Sequence, residues 1–281
     1  QLSKAMLQAR HPGVVYWDLS DNQLEDISYF VDALGDYNSQ LITLRLNNCK
    51  MTNAEITTLF NSLSENDYNH NIRQLALIGN TMNKANCEQF GALLRAISGD
   101  NVFDNHSGDF KDLPEIESAT GHSDQITSPD DDSHSEENKF NLNHLEFGPV
   151  RYPKGIIDAL MSHSIPLETL KFVDSSFDEE SANSLISFLR GTTTLKYLDI
   201  SNCSFKDIQL EAIITSFISN TAVNEVSLIL NKLKIHGKRY AMVMQALTQY
   251  SDKIVELSLN ENGLSQAEPL FIDLGQFKNL K

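Results

Sequence analysis

The stretch "VVYWDLSDNQL", residues 14 to 24, decides the fold. Its apolar residues Val14, Trp17, Leu19 and Leu24 fall at positions 1, 4, 6 and 11, with Asn22 at position 9. "LITLRLNNCKM", Leu41 to Met51, repeats that spacing, so the pattern is one turn of something repeated and not a lone strand. Eight turns fit the template, starting at Val14, Leu41, Ile72, Leu142, Leu167, Leu195, Val223 and Ile254. Their starts are 27, 31, 70, 25, 28, 28 and 31 residues apart, so one interval is abnormal and the rest cluster near 28.

An amphipathic helix follows each strand. In "NAEITTLFNSL" (Asn53–Leu63), Ile56, Leu59, Phe60 and Leu63 share one stripe, and in "QLEAIITSFI" (Gln209–Ile218) Leu210, Ile213, Ile214 and Phe217 do the same. Strand and helix alternating at this period predict an α/β leucine-rich-repeat solenoid of about eight repeats. The parallel sheet lines the concave side of a horseshoe and the helices its convex side. Positions 1, 4, 6 and 11 enter a core shared between turns, because one turn cannot bury its own face. Position 9 stands where the chain leaves the strand, and a side-chain amide there satisfies backbone groups of the bend. Asn22, Asn80, Asn231 and Asn262 fill it, as do the small thiols of Cys49 and Cys203. Cys87 falls on the third helix and reads as core. The seventh turn fits from Val223, the register adopted here, but "SLILNKLKI" also fits with a shift of two residues.

The long interval holds a low-complexity insert. Residues 98–138 carry twelve acidic residues and one lysine, a charge of −11 out of the chain's −16 (22 basic against 38 acidic residues), which leaves −5 for the rest. Such composition predicts a disordered loop between repeats 1–3 (residues 1–97) and repeats 4–8 (residues 139–281) of one solenoid. Phe277 and Leu280 read as positions 1 and 4 of a ninth turn. Neither end reads as a polar cap, so the array is expected to continue past this piece.

Charge of this sign excludes the clustered basic face of a nucleic-acid binder, and no run of eighteen apolar residues predicts membrane insertion. Three cysteines without a C-x-x-C pair point to a reducing, cytoplasmic setting. No phosphate loop, zinc-protease or nucleophile-elbow motif occurs, no histidines pair at metal-ligand spacing, and no cofactor is called for. "NHS" at Asn105 and "NCS" at Asn202 read as chance sequons. In the insert, Ser128 precedes a proline and Ser133 has Glu136 three residues on. Both are candidate phosphorylation sites in what is equally well an inert spacer.

Positions 3 and 5 of each turn face the concave side. They make a mixed, mildly acidic surface in which Tyr16, Arg45, Lys171 and Tyr197 are the candidate partner-binding anchors, aromatic and cationic residues being favoured at interfaces. Glu225 and Glu256 fall on the same rows, but an open sheet is a poor place to shift a carboxylate pKa. These features predict a non-enzymatic protein–protein interaction scaffold.

The repeat length and the "LDLS-x-N-x-L"-like cores resemble the ribonuclease-inhibitor class of leucine-rich repeats over nearly the whole chain. In the last third, Leu195–Ile235 followed by "IVELSLNENGL" (Ile254–Leu264) is similar to consecutive repeats of CARMIL-type actin-regulatory scaffolds. That resemblance implies scaffolding of actin assembly at membranes, with actin-assembly proteins such as capping protein, Arp2/3 complex and myosin I as partners. The family's capping-protein and lipid-binding segments lie outside its repeats, so no binding residue carries over. A GTPase-activating regulator resembling the Ran activator, and the substrate-recognition repeats of a ubiquitin ligase, are the alternatives. The acidic tract interrupts the array here where the Ran activator's follows it.

Deleting residues 104–136 should leave the melting temperature nearly unchanged, because closure entropy changes slowly with loop length. A fall above about 8 °C, roughly 2–4 kcal/mol for a chain of this size, would show that the insert packs on the scaffold.

Overall fold

A computed structural model of the chain describes residues 14–24, 27–37, 41–65, 71–97, 142–264 and 274–281. The insert, with Ser128 and Ser133, lies outside the described residues. Strands and helices alternate: β1 (Tyr16–Asp18), α1 (Ser28–Tyr37), β2 (Thr43–Arg45), α2 (Asn53–Glu65), β3 (Gln74–Ala76), α3 (Lys84–Ile97), β4 (His144–Phe147), α4 (Lys154–Ser162), β5 (Thr169–Phe172), α5 (Glu179–Gly191), β6 (Tyr197–Asp199), α6 (Asp207–Ile218), β7 (Val226–Ile229), α7 (Gly237–Thr248) and β8 (Ile254–Ser258). The strands form one sheet in sequence order, parallel throughout. This is an α/β repeat solenoid of the leucine-rich type.

The sheet runs without a break across the insertion. Gln74 pairs with His144 and Leu75 with Leu145, although the partners are 70 positions apart in sequence. The position-4 residues from β2 to β7 (Leu44, Leu75, Leu145, Leu170, Leu198 and Leu228) are buried and touch the same core as the helices. A chain of phenylalanines links the turns: Phe60–Phe90 (5.3 Å between centroids), Phe90–Phe147 (5.0 Å), Phe147–Phe172 (6.0 Å), Phe172–Phe177 (5.6 Å) and Phe177–Phe205 (4.7 Å).

The bend after each strand follows a rule. Position 8 is left-handed in Asp21, Asn48, Gly79, Asp174, Asn202, Lys232 and Glu261. Position 9 then reaches back to the preceding turn. Asn80 Nδ2 donates to the Leu46 carbonyl at 2.7 Å and Asn262 Nδ2 to that of Leu230 at 2.6 Å, while the Met51 and Leu233 N–H groups donate to their Oδ1 atoms. Cys49 and Cys203 make the equivalent bond through sulfur to Leu19 and Phe172. Asn80, Asn262, Cys49, Cys203 and Ser175 are all buried.

Three expectations need correction, and the fourth turn departs from the common bend. Asn22 is exposed, and among the described residues its amide bonds the Leu19 and Ser20 carbonyls of its own turn. It belongs to the first described turn, so no described turn lies on the side where its partner would be.

The seventh turn takes the shifted register, not the one from Val223. Ser227 pairs with Tyr197 and Leu228 with Leu198, so Leu233 holds position 9 and Lys232, at φ 57°, holds position 8. A bulge between Val226 and Ser227 absorbs the difference against β8. Asn231 is therefore not a position-9 residue; its Oδ1 instead accepts the Asn260 N–H at 2.8 Å.

The fourth turn has Pro149 where the others have a left-handed residue. Gly148, at φ 148°, makes the bend instead, and a Cβ there would lie 1.9 Å from the Val173 carbonyl oxygen.

At the C-terminal end, the Lys281 N–H donates to the Val255 carbonyl at 3.0 Å. Residues 2 and 3 of other turns make this bond, as Arg73 and Gln74 do to Ile42, so the ninth turn starts at Asn279 or Leu280 and not at Phe277.

Candidate interaction surface on the concave sheet

Alternation along each strand sends position 4 into the core and positions 3 and 5 out of the opposite face. With strands about 4.8 Å apart, the register aligns these residues into two rows across the sheet. Along position 5 run Asp18, Arg45, Ala76, Glu146, Lys171 and Asp199, a sequence of alternating charge broken only by Ala76.

The N-terminal end carries Tyr16, 55% exposed, whose hydroxyl donates to Asp18 Oδ2 at 3.2 Å. Hydrogen bonds from the Ser20 side chain and backbone hold the Asp18 carboxyl below its ordinary range. Arg45 pairs with Asp18 in register and is half-buried, its Nε enclosed without a hydrogen-bond partner.

The centre is a closed cluster. Glu146 is only 4% exposed, and a single oxygen, Oε1, takes both His144 Nε2 at 2.6 Å and Lys171 Nζ at 2.8 Å. Burial alone would raise this carboxyl, but the His144 and Lys171 contacts overcome it and hold the pKa down at about 2. The same ammonium lies 5.5 Å from the centroid of the Tyr197 ring. Burial, with the negative charge of Asp199, Glu256 and Glu146, pushes the Tyr197 phenol up to about 12. Asp199 accepts the Ser201 backbone N–H and hydroxyl. In the corrected register β7 contributes Ser227 and Ile229 to the rows in place of Glu225 and Ser227. Glu225 therefore leaves the rows and stands 3.9 Å from Lys281, while Glu256 pairs in register with Ser227.

The four anchors expected from sequence fall into two pairs. Tyr16 and Arg45 are on adjacent strands β1 and β2, and Lys171 and Tyr197 on β5 and β6, with β3 and β4 between. Arg45 and Lys171 are three strands apart, roughly 14 Å. Lys171 is tied to Glu146 and is less available to a partner than Tyr16. Sequence reasoning overlooked the Glu146 hub, although opposite charges at position 5 of consecutive turns were the sign of it. The cysteines are all buried and free, with thiols pushed up by burial (Cys87 to about 12). Among the described residues no cluster of potential metal ligands occurs, and no helix is long and apolar enough to cross a membrane.

No family model matches the chain, and no curated protein matches it. Among solved structures, the C-terminal domain of tropomodulin from Caenorhabditis elegans is similar at 7% identity with a TM-score of 0.33, covering 89% of this chain and 92% of that one. A likeness at that level carries no argument about family or function.

Removing the cation from Glu146 tests the hub. Lys171→Met should cost about 3 kcal/mol at pH 7, because it leaves a buried carboxylate without its ammonium. Glu146 is held below its ordinary 4.5, so its stabilisation is complete above that value and is lost as pH falls towards about 2. The difference in melting temperature between wild type and Lys171→Met should therefore shrink between pH 5 and pH 3. A constant difference over that range would assign the effect to packing.

Proposed function

We propose that the chain is a non-enzymatic protein–protein interaction scaffold that engages its partner on the concave sheet. The observation that carries this reading is the single parallel sheet of eight strands, which sets two rows of mostly polar and aromatic side chains on one face. Tyr16 lies open at one end of that face, and Tyr197 near its middle is held by Lys171. Rigid aromatic side chains lose little entropy when a partner covers them, which favours them as anchors. The fixed Glu146 hub keeps the surrounding charges in place, so a partner meets a preorganised pattern. The likeness of residues 195–235 and 254–264 to CARMIL-type repeats makes an actin-assembly protein the first partner to try. We place its action in the cytoplasm, in keeping with three free thiols.

Pull-down from cell extract followed by titration of the enriched actin-assembly protein tests the reading. Tyr16→Ala and Tyr197→Ala should each weaken binding by about 1–2 kcal/mol. Glu211→Ala, exposed on α6, should leave it unchanged. Gln209 is unsuitable as that control, because it is buried and accepts the Lys206 N–H at 2.9 Å. Equal affinity for wild type, Tyr16→Ala, Arg45→Ala and Tyr197→Ala would remove the concave face as the site.

A further inference from the structure

Arg45 on the concave sheet is a cation without a partner. It forms no ion pair among the described residues, and its enclosed Nε has no hydrogen-bond acceptor. Arg239, the other half-buried arginine among the described residues, is fully engaged. Its guanidinium donates to Asp207 Oδ1 at 2.6 Å and to the Leu233 and Phe205 carbonyls at 2.8 and 3.0 Å. A guanidinium carries five N–H donors in a fixed fork, and drawing it partly out of water is costly unless an acceptor answers it.

The row of position-5 residues explains why none does. In register Arg45 lies between Asp18 on β1 and Ala76 on β3. Asp18 is engaged in its own turn, where Oδ1 accepts the Ser20 N–H at 3.0 Å and Oδ2 the Tyr16 hydroxyl at 3.2 Å. Ala76 offers no acceptor. Further along the same row the arrangement is complete, since Lys171 on β5 reaches Glu146 on β4 at 2.8 Å. Of the two cations on this row, one has a carboxylate on the adjacent strand and the other has an alanine there.

We infer that the carboxylate missing beside Arg45 is brought by the partner, as an aspartate or glutamate side chain seated on the β3 side of the guanidinium. The inference rests on the concave reading and names the chemistry that reading's partner must carry. A carboxylate matches the guanidinium fork with two parallel hydrogen bonds, a geometry few other protein groups supply. Asp18 repels it from the β1 side, which leaves the approach over Ala76. Glu146 lies two strands from Arg45, roughly 10 Å away, and its charge is already answered by Lys171.

The probe is a short peptide of alternating glutamate and serine, titrated into the full, isotopically labelled chain and followed by magnetic resonance. The enclosed Arg45 Nε–H is the reporter, its signal assigned by its loss in Arg45→Met. The peptide should shift that signal to saturation, and the same peptide with glutamine in place of glutamate should not. Arg45→Met keeps an apolar stem and removes the fork, so it should weaken the peptide about tenfold, read on the backbone amide signals. Its melting temperature should not fall, because no bond within the fold is lost. An unmoved Nε–H signal, equal affinity for the glutamine peptide, or unchanged affinity in Arg45→Met overturns the inference. A lowered melting temperature also overturns it, since the guanidinium would then serve the fold. The concave reading is decided separately, by partner affinity in Tyr16→Ala and Tyr197→Ala, so either can fail without the other.

Discussion

The structure depends on the bend that carries the chain off each strand. There the backbone turns left-handed at position 8, and the groups it leaves unpaired find partners in an adjacent turn as well as in their own. Position 8 side chains meet across turns, Asn48 with Asp21 at 2.9 Å, Asn202 with Asp174 at 2.6 Å and Lys232 with Glu261 at 3.3 Å. Asparagine and aspartate tolerate this backbone better than most residues, and lysine and glutamate hold it with an ion pair between them. Position 9 adds the bond back to the preceding strand's end. Each turn is thus incomplete by itself, which is the physical content of a solenoid.

The same dependence explains why a 44-residue segment between Ile97 and Leu142 leaves the register intact. Turn 3 supplies Phe90 and turn 4 supplies Phe147, and each ring needs the other's surface as much as that of its chain neighbour. Gly91 and Gly155 let α3 and α4 close over the junction: a Cβ on Gly91 would lie 3.2 Å from the Gly155 carbonyl oxygen. The concave rows are a consequence. Because the strands from β1 to β7 stack without a register shift, residues distant in sequence, such as Arg45 and Lys171, become members of one line of charge.

Periodicity alone located the eight strands, since apolar residues at positions 4 and 6 have no other use in a chain of this pattern. It could not choose the seventh register, because "VSLIL" is apolar in either phase; Lys232, a residue with no affinity for a left-handed bend, hides the marker that settles it. Asn22 matched the template but not the burial, as its environment depends on a neighbouring turn and not on its own letters. For the surface, Tyr16 and Tyr197 were legible as outward residues. The enclosure of Glu146 between His144 and Lys171 was not, since it arises from side chains of two strands converging on one oxygen. Tyr152 was invisible for the opposite reason: an aromatic at position 11 reads as core, yet it is exposed and Pro153 takes the buried place.

One solenoid across the insertion is the claim on which the surface rests, and Trp17, the chain's single tryptophan, gives a direct measurement of it. Its ring packs on Phe30 in the first turn at 5.5 Å, far along the sequence from Phe147 in the fourth. Truncating Phe147 to alanine should cost about 3–5 kcal/mol. In denaturant titrations the account predicts that this substitution lowers the midpoint seen by Trp17 fluorescence together with the midpoint seen by circular dichroism. A circular dichroism midpoint that falls while the Trp17 midpoint stays at its wild-type value would contradict it, because the first three turns would then fold without the rest.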